Sequence, residues 1–283
     1  MIREVFKQTR LRFSEAGIET PDMDTRVLLK HFLGLSDADL ITGTGVIDAN
    51  QRDHLERAVI RRLNREPVSR IIGEREFWGM TFKVTPDTLD PRPDSECLIE
   101  MAVEALRDHP PKRILDLGTG SGCLLLALLK EFPAAQGVGI DLNPKAVDVS
   151  RENMENNGLS GRATFEQGNW TDSLSPDDGL FDLIVSNPPY IPRGDIESLA
   201  PEVKNHDPIL ALSGGDDGLD AYKTLVTEIK KFLQPSGLAL FEIGQNQDRD
   251  VQRLVENAGL SVSRIGADIA GILRVVEITR GDK

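Results

Sequence analysis

Cysteine is scarce in this chain of 283 residues: the two present, Cys97 and Cys123, form no C-x-x-C pair and show no metal-ligand spacing. A disulfide framework and a structural metal site are therefore not expected, and a reducing compartment fits. Long apolar runs are missing too. Residues 1–13 carry charge in every turn, unlike a secretion signal or a membrane span, so the expectation is a cytoplasmic protein without membrane contact. Positive charge is also short, with 33 Lys and Arg against 46 Asp and Glu and a net charge of −13. That is the wrong sign for affinity built on phosphate contacts. The deficit is uneven: residues 1–75 hold 13 basic and 12 acidic side chains, and the remainder holds 20 and 34. An acidic C-terminal part repels a nucleic-acid backbone and tolerates a neutral or basic protein partner.

What is present changes character along the chain. In residues 3–65 apolar side chains recur at helical spacing, as in Leu55, Val59 and Leu63, which predicts a small helical domain over residues 1–73. Arg61, Arg62, Arg65, Arg70 and Arg75 form its one basic cluster, with the pattern of a solvated helix face or a protein-docking patch. Residues 74–84 are rich in Phe and Trp and alternate in part before Pro86, Pro91 and Pro93, which predicts a β-hairpin linker over 74–90. From 91 to 283 short apolar runs alternate with amphipathic ones. Strands are expected at 113–117, 137–140, 164–166, 181–185 and 238–243, and helices at 123–132, 145–157, 221–232 and 248–257. This alternation implies an α/β fold, a mostly parallel sheet covered by helices. Segments 261–265 and 272–278 follow with no clear helix between them, so the sheet is expected to end in an antiparallel pair.

Gly118-Thr119-Gly120-Ser121-Gly122 follows one expected strand and opens a helix, where backbone must approach a ligand closely. A dinucleotide fingerprint would place its third glycine at 123, where Cys123 stands, so a nicotinamide enzyme fits poorly. The G-x-G-x-G spacing is the one seen in methyltransferases. Asp141, about 20 residues on at the end of the next strand, is placed to accept hydrogen bonds from both ribose hydroxyls of a nucleoside. Asp116 either reaches the ligand or braces the loop, and Trp170 either lines an adenine pocket or belongs to the core.

Asn187-Pro188-Pro189-Tyr190 follows another strand directly, at the sheet edge where open α/β sheets bind ligands. Its prolines remove backbone donors and leave a stiff corner of carbonyl oxygens. Asn187 adds an acceptor, so an incoming –NH2 group can be held by Asn187 Oδ1 and the Pro188 carbonyl, with Tyr190 placed to stack on a flat group. Such a corner suits methylation of a planar nitrogen, in which positioning supplies most of the rate and neither base nor metal is required.

Outside these motifs stand Arg65-Glu-Pro-Val68, Ile72-Gly-Glu74, Glu76-Phe-Trp-Gly79, Pro91-Arg-Pro-Asp-Ser-Glu96, Asp207-Pro208, Ala211-Leu-Ser-Gly-Gly-Asp-Asp-Gly-Leu219, Glu242-Ile-Gly244 and Asp268-Ile-Ala-Gly271. With them the chain closely resembles, along nearly its whole length, the HemK/PrmC family, S-adenosylmethionine-dependent methyltransferases of a Rossmann-like fold that modify the glutamine of the Gly-Gly-Gln motif in class-1 peptide release factors. The resemblance implies a helical N-terminal domain that helps hold the release factor. It implies cofactor contacts at Gly118, Thr119, Gly120, Ser121, Gly122, Asp141, Trp170 and Asn187, and substrate contacts at Asn187, Pro188, Pro189 and Tyr190. Arg92 and Glu96 carry over toward the cofactor's methionine end. Asp90, Ser95 and Asp207 depart from the family's usual aliphatic residue, Thr and Glu. The expected reaction is transfer to glutamine N5 by a monomer that makes no nucleic-acid contact. N6-methylation of adenine in DNA or RNA is the alternative.

Overall fold

The computed structural model describes residues 2–43 and 45–281. Its contacts divide the chain into two compact units, Met1–Glu74 with Ala200–His206, and Arg75–Leu199 with Asp207–Lys283.

The first unit contains α1 (Ile2–Glu15), α2 (Pro21–Leu33), α3 (Asp37–Thr42), α4 (Ala49–Leu63) and α5 (Val68–Ile72). Local chemistry sets the helix ends. Pro21 opens α2, Gly34 closes it in the left-handed region, and capping boxes of Ser36 with Asp39 and Asp48 with Gln51 start α3 and α4. Phe13, Leu28, Leu29 and Val59 are fully enclosed in the core of this unit.

The arginine cluster is not uniformly a solvated face, because Arg62 and Arg70 are buried. On α4, Arg62 lies on the same helical stripe as Leu55 and Val59, so it is buried and must be paired. Its Nε donates to Asp24 at 2.7 Å, and its Nη1 donates to Glu202 at 3.1 Å. Arg61 is spent on Glu66, and Arg65 on the Ala16 and Gly17 carbonyls and on Glu202. The Glu202 pairs explain why residues 200–206 group with the helices.

The second unit begins with the hairpin β1 (Glu74–Phe77) and β2 (Met80–Lys83), turned at Trp78 and Gly79, both with positive φ. Next come α6 (Glu96–Ala105), β3 (Arg113–Leu117), α7 (Cys123–Glu131), β4 (Gln136–Asp141), α8 (Pro144–Asn156), β5 (Ala163–Gln167) and β6 (Phe181–Ser186). The short α9 (Pro201–Lys204) belongs to the first unit; then follow α10 (Ile209–Leu212), α11 (Asp220–Phe232), β7 (Leu233–Glu242), α12 (Asp248–Asn257), β8 (Ser261–Ala267) and β9 (Leu273–Thr279).

The sheet runs β5-β4-β3-β6-β7-β9-β8. Its first five strands are parallel, and β9 pairs antiparallel with both β7 and β8. The expected α/β architecture is therefore present, with the last strand inserted between β7 and β8. Central strands are buried on both faces, as a sheet covered by helices requires. Strand order reverses between β3 and β6, which opens a crevice at their C-terminal ends. Among the described residues no helix is long and apolar enough to cross a membrane.

Candidate active site

Register places the site. Leu117 pairs with Ile140 and with Ser186, and Ser186 pairs with Phe241, so the next residues of four adjacent strands emerge together. Those residues are Asp141 from β4, Gly118 from β3, Asn187 from β6 and Glu242 from β7. Ser186 Oγ donates to the Leu117 carbonyl at 2.6 Å and fixes the two central strands at this level.

A cavity of about 380 Å³ opens there. Gly118, Thr119, Gly120, Ser121, Asp141, Trp170, Asn187 and Pro189 all line it, with Leu124, Ile140 and Leu142 on its apolar wall. Gly118 and Gly120 hold φ of 74° and 56°, and a Cβ on Gly120 would point into open space. The loop thus presents bare backbone to whatever fills the cavity. Gly122 lies behind the wall: a Cβ there would meet Ser150 at 3.1 Å and Phe165 at 3.2 Å, so this glycine serves close packing of α7.

The Asp141 carboxylate accepts from Gly120 N–H and from Asn143 N–H, each at 2.8 Å. Burial raises its pKa, and the two backbone donors oppose that rise. Asp116 lies beneath the loop and accepts from Thr119 Oγ1 at 2.6 Å; it braces the loop and does not line the cavity. Enclosure lifts its pKa to about 7. Trp170 packs on the core and also lines the cavity. Its φ of 56° is unusual for a bulky residue and turns its ring onto the glycine loop, 3.5 Å from where a Gly118 Cβ would stand. Thr171 holds this turn by donating to Glu228 on α11 at 2.8 Å.

Around Asn187 the polar groups form a chain. Ser95 Oγ donates to Glu242 Oε2, and Asn187 Nδ2 donates to Ser95 Oγ at 3.2 Å. Ser95 has one proton and gives it to the carboxylate, so toward Asn187 it can only accept. That fixes the amide with its NH2 on Ser95 and leaves Oδ1 as the atom available to the cavity. Tyr190 is half-buried and donates to Glu242 Oε1 at 3.3 Å, while Pro188 is buried, so these two motif residues stand behind the wall that Asn187 and Pro189 form. Burial pushes Glu242 up to about 7, against the pull of Ser95, Arg274 and Tyr190.

The segment after α10 clamps the motif backbone. Ile191 N–H donates to the Leu212 carbonyl, Gly214 N–H to the Ile191 carbonyl, and Gln247 Nε2 to the Tyr190 carbonyl, all at 2.9 Å. Gly218 must be glycine: its φ is 76°, and a Cβ would lie 2.4 Å from the Tyr190 carbonyl. Arg92 lines the cavity and pairs with the buried Asp207, whereas Glu96 accepts from Trp78 N–H at 2.9 Å and holds the hairpin turn. No group of His, Cys, Asp and Glu among the described residues has the arrangement of a metal site.

Comparison with known proteins agrees in both units. A model of the PrmC N-terminal domain matches residues 4–73, and a methyltransferase domain model matches residues 108–260. A release factor glutamine methyltransferase from Rhodospirillum rubrum is 48% identical over 92% of this chain and 79% of its own length. The chain belongs to the release factor glutamine methyltransferase family. A second member, from Caulobacter vibrioides, is 43% identical over 94% of this chain and 91% of its own. A methyltransferase of solved structure from Pyrococcus furiosus, 15% identical, superposes with a TM-score of 0.55 over 83% of this chain and 100% of that one, and shows the shared fold alone.

The sequence reasoning assigned no role to Ser95, Glu242 or Asn153. Asn153 on α8 is fully buried, donates to the Ser121 carbonyl at 2.9 Å and the Lys83 carbonyl at 3.1 Å, and accepts from Lys83 N–H at 2.7 Å. One amide thereby ties the exit of the hairpin to the glycine loop. A signal for Glu242 existed, since a carboxylate near the end of the apolar run 238–243 has no solvent to face.

Proposed function

We propose that this protein transfers the methyl group of S-adenosylmethionine to the side-chain nitrogen, N5, of the glutamine in the Gly-Gly-Gln motif of class-1 peptide release factors. The cavity fits that cofactor. Asp141 retains lone pairs beside the bare Gly118–Ser121 backbone for ribose hydroxyls, and Leu124, Ile140, Leu142 and Trp170 supply an apolar wall for adenine. Bound there, S-adenosylmethionine supplies a methyl group on a positively charged sulfur. Gly118, Thr119, Gly120, Ser121, Asp141, Trp170 and Asn187 would hold it, with Gly122 behind them setting the turn into α7.

The observation that carries the proposal is the orientation of the Asn187 amide. Its NH2 is taken by Ser95, so Oδ1 is left to accept one proton of the substrate amide, with a main-chain carbonyl of the Pro188–Pro189 corner, of which Pro189 lines the cavity, as the second acceptor. An amide nitrogen is a weak nucleophile because its lone pair is delocalised; two acceptors restore density at nitrogen and stabilise the positive charge that develops on attack. Pro189 shapes the approach, and Tyr190 closes the motif against Glu242. Once methylated, the nitrogen is acidic and releases its proton to water, so no general base is required. The helical unit holds the release factor, and the protein works as a cytoplasmic monomer without nucleic-acid contact, in keeping with its net charge of −13.

Incubation with labelled cofactor and one of three acceptors tests this: release factor, the same factor with its motif glutamine replaced, or duplex DNA. Label is expected on the first alone, and label on either of the others refutes the assignment. Asn187→Ala is expected to lower turnover by ~100-fold or more, two hydrogen-bonding roles being lost, with cofactor binding still measurable. Unchanged turnover would assign the loop another role.

A further inference from the structure

Two buried oxygens of one carboxylate meet the two side chains that flank the reacting corner. Glu242 Oε2 accepts from Ser95 Oγ and Glu242 Oε1 accepts from Tyr190 Oη, while neither Glu242 nor its carboxylate lines the cavity. An ionised carboxylate can only accept, so the direction of every bond in the chain follows from it: Ser95 gives its proton to Glu242 and takes one from Asn187. A neutral carboxyl carries a proton of its own. It can donate to Ser95, whose hydroxyl then turns to the other side and donates to Asn187, which reverses the amide and swings its NH2 into the place of the acceptor.

We propose that Glu242 is a positioning residue for the transfer: its carboxylate, acting through the Ser95 hydroxyl, locks the Asn187 amide with its oxygen toward the substrate nitrogen. Resting on the reaction proposed above, this assigns to Glu242 and Ser95 the task of keeping an acceptor, rather than a donor, in front of an –NH2 group. A donor there would face the substrate's own protons and leave its lone pair undirected.

The surroundings single out Glu242 as the member whose charge can change. Arg274 on β9 stays cationic, paired with Asp268 at 3.0 Å and with the exposed Asp94 before α6 at 3.3 Å. Burial raises the hydroxyls of Tyr190 and Tyr222 above their usual range, and Tyr222 donates to the Glu242 main-chain carbonyl at 2.8 Å. Burial also pushes the thiols of Cys97 and Cys123 up to about 12. Those four groups keep their protons near neutral pH. Glu242, at about 7, does not, and Asp116 beneath the glycine loop ionises in the same range.

The test measures kcat, KM for release factor and cofactor affinity across pH 5.5–9 for wild type, Glu242→Gln, Ser95→Ala and Ser95→Thr. Wild-type kcat is expected to fall as the pH drops through about 7. Glu242→Gln cannot ionise, so it is expected to lose that limb and to turn over ~10-fold more slowly at high pH, with KM and cofactor affinity near wild type. Retention of the limb in this variant would assign it to Asp116 and overturn the proposal. Ser95→Ala is expected to lose a similar factor in kcat, and Ser95→Thr, which restores the hydroxyl, to recover most of it. Wild-type kcat in Ser95→Ala, or a loss confined to KM or cofactor affinity, would also overturn the proposal. This pair decides the matter should Glu242→Gln fail to fold. Failure of the wild-type protein to methylate release factor would instead sink the proposed reaction itself.

Discussion

Replacing Glu242 by Gln is expected to stabilise the folded catalytic unit in alkaline solution and to leave its stability nearly unchanged in acid. Glu242 is only 2% exposed, and burial lifts its carboxyl from 4.5 to about 7. The unfolded chain ionises it near 4.5, so the folded protein holds the proton more tightly. A raised carboxyl pKa therefore contributes stability that is fully present below pH 4.5 and is lost as the pH rises through 7. Fully lost, that contribution amounts to about 3 kcal/mol. Glutamine has nearly the same volume and stays neutral, so it stands in for the protonated carboxyl at every pH.

The variant should consequently exceed wild type by about 3 kcal/mol at pH 8, by about 2 kcal/mol at pH 6 and by less than about 0.5 kcal/mol at pH 4.5. For a unit of this size the alkaline difference corresponds to roughly 6–12 °C in melting temperature. Denaturant unfolding of both proteins side by side at the three pH values isolates the effect, because every other titrating group is common to both. A variant less stable than wild type at pH 8, or a difference that does not change with pH, would refute the reasoning. Either result would mean that the carboxylate is stabilised in place by Arg274, Ser95 and Tyr190 beyond the cost of its burial.

Three further perturbations probe the scaffold. Asn153→Ala removes three buried hydrogen bonds and is expected to cost about 3 kcal/mol in denaturant unfolding, whereas Asn153→Asp, which turns a carboxylate toward the Ser121 and Lys83 carbonyls, should cost more; the reverse order would show that the amide's direction is unimportant. Asp141→Asn converts one carboxylate oxygen that accepts from Gly120 or Asn143 into a donor, and is expected to weaken S-adenosylmethionine binding by ~100-fold in calorimetry; an unchanged affinity would remove Asp141 from the cofactor site. Arg62→Ala leaves the Asp24 carboxylate buried without its main partner and is expected to destabilise the helical unit by about 3–5 kcal/mol, read as an earlier unfolding transition. Loss below about 1 kcal/mol would show that water reaches this pair.

The sheet was legible because central parallel strands are short apolar runs, and the glycine loop because left-handed backbone at Gly118 and Gly120 excludes most other residues. Both are local constraints and leave local marks. The insertion of β9 between β7 and β8 left none, since which edge a strand joins depends on tertiary pairing alone. Nor did the grouping of residues 200–206 with the helices: Arg62 and Glu202 meet across 140 positions of sequence. The burial of Arg62 within the arginine cluster was hidden for the same reason, because a basic run looks solvated until the acids that pair with it are located in space. Ser95 and Glu242 lie 147 residues apart, and their link exists only once α6 and β7 are packed together.

Register explains why these distant residues act as one site. With Leu117 opposite Ser186 and Ser186 opposite Phe241, a slip of one residue in β6 would withdraw Asn187 from the cavity and send Ser186 toward it. The Ser186 bond to the Leu117 carbonyl opposes such a slip, and the Gly214 and Gln247 bonds hold the backbone that follows. Fixed position alone does not determine which atom of Asn187 faces the substrate, because an amide fits its slot in two orientations of nearly identical shape. Only hydrogen-bond direction distinguishes them, and a group that accepts without donating imposes one direction on the whole chain. An ionised carboxylate is such a group, and burial makes it expensive. The same enclosure that costs about 3 kcal/mol at Glu242 keeps water, which would accept and donate alike, from coming between Glu242 and Ser95 and scrambling the order they impose.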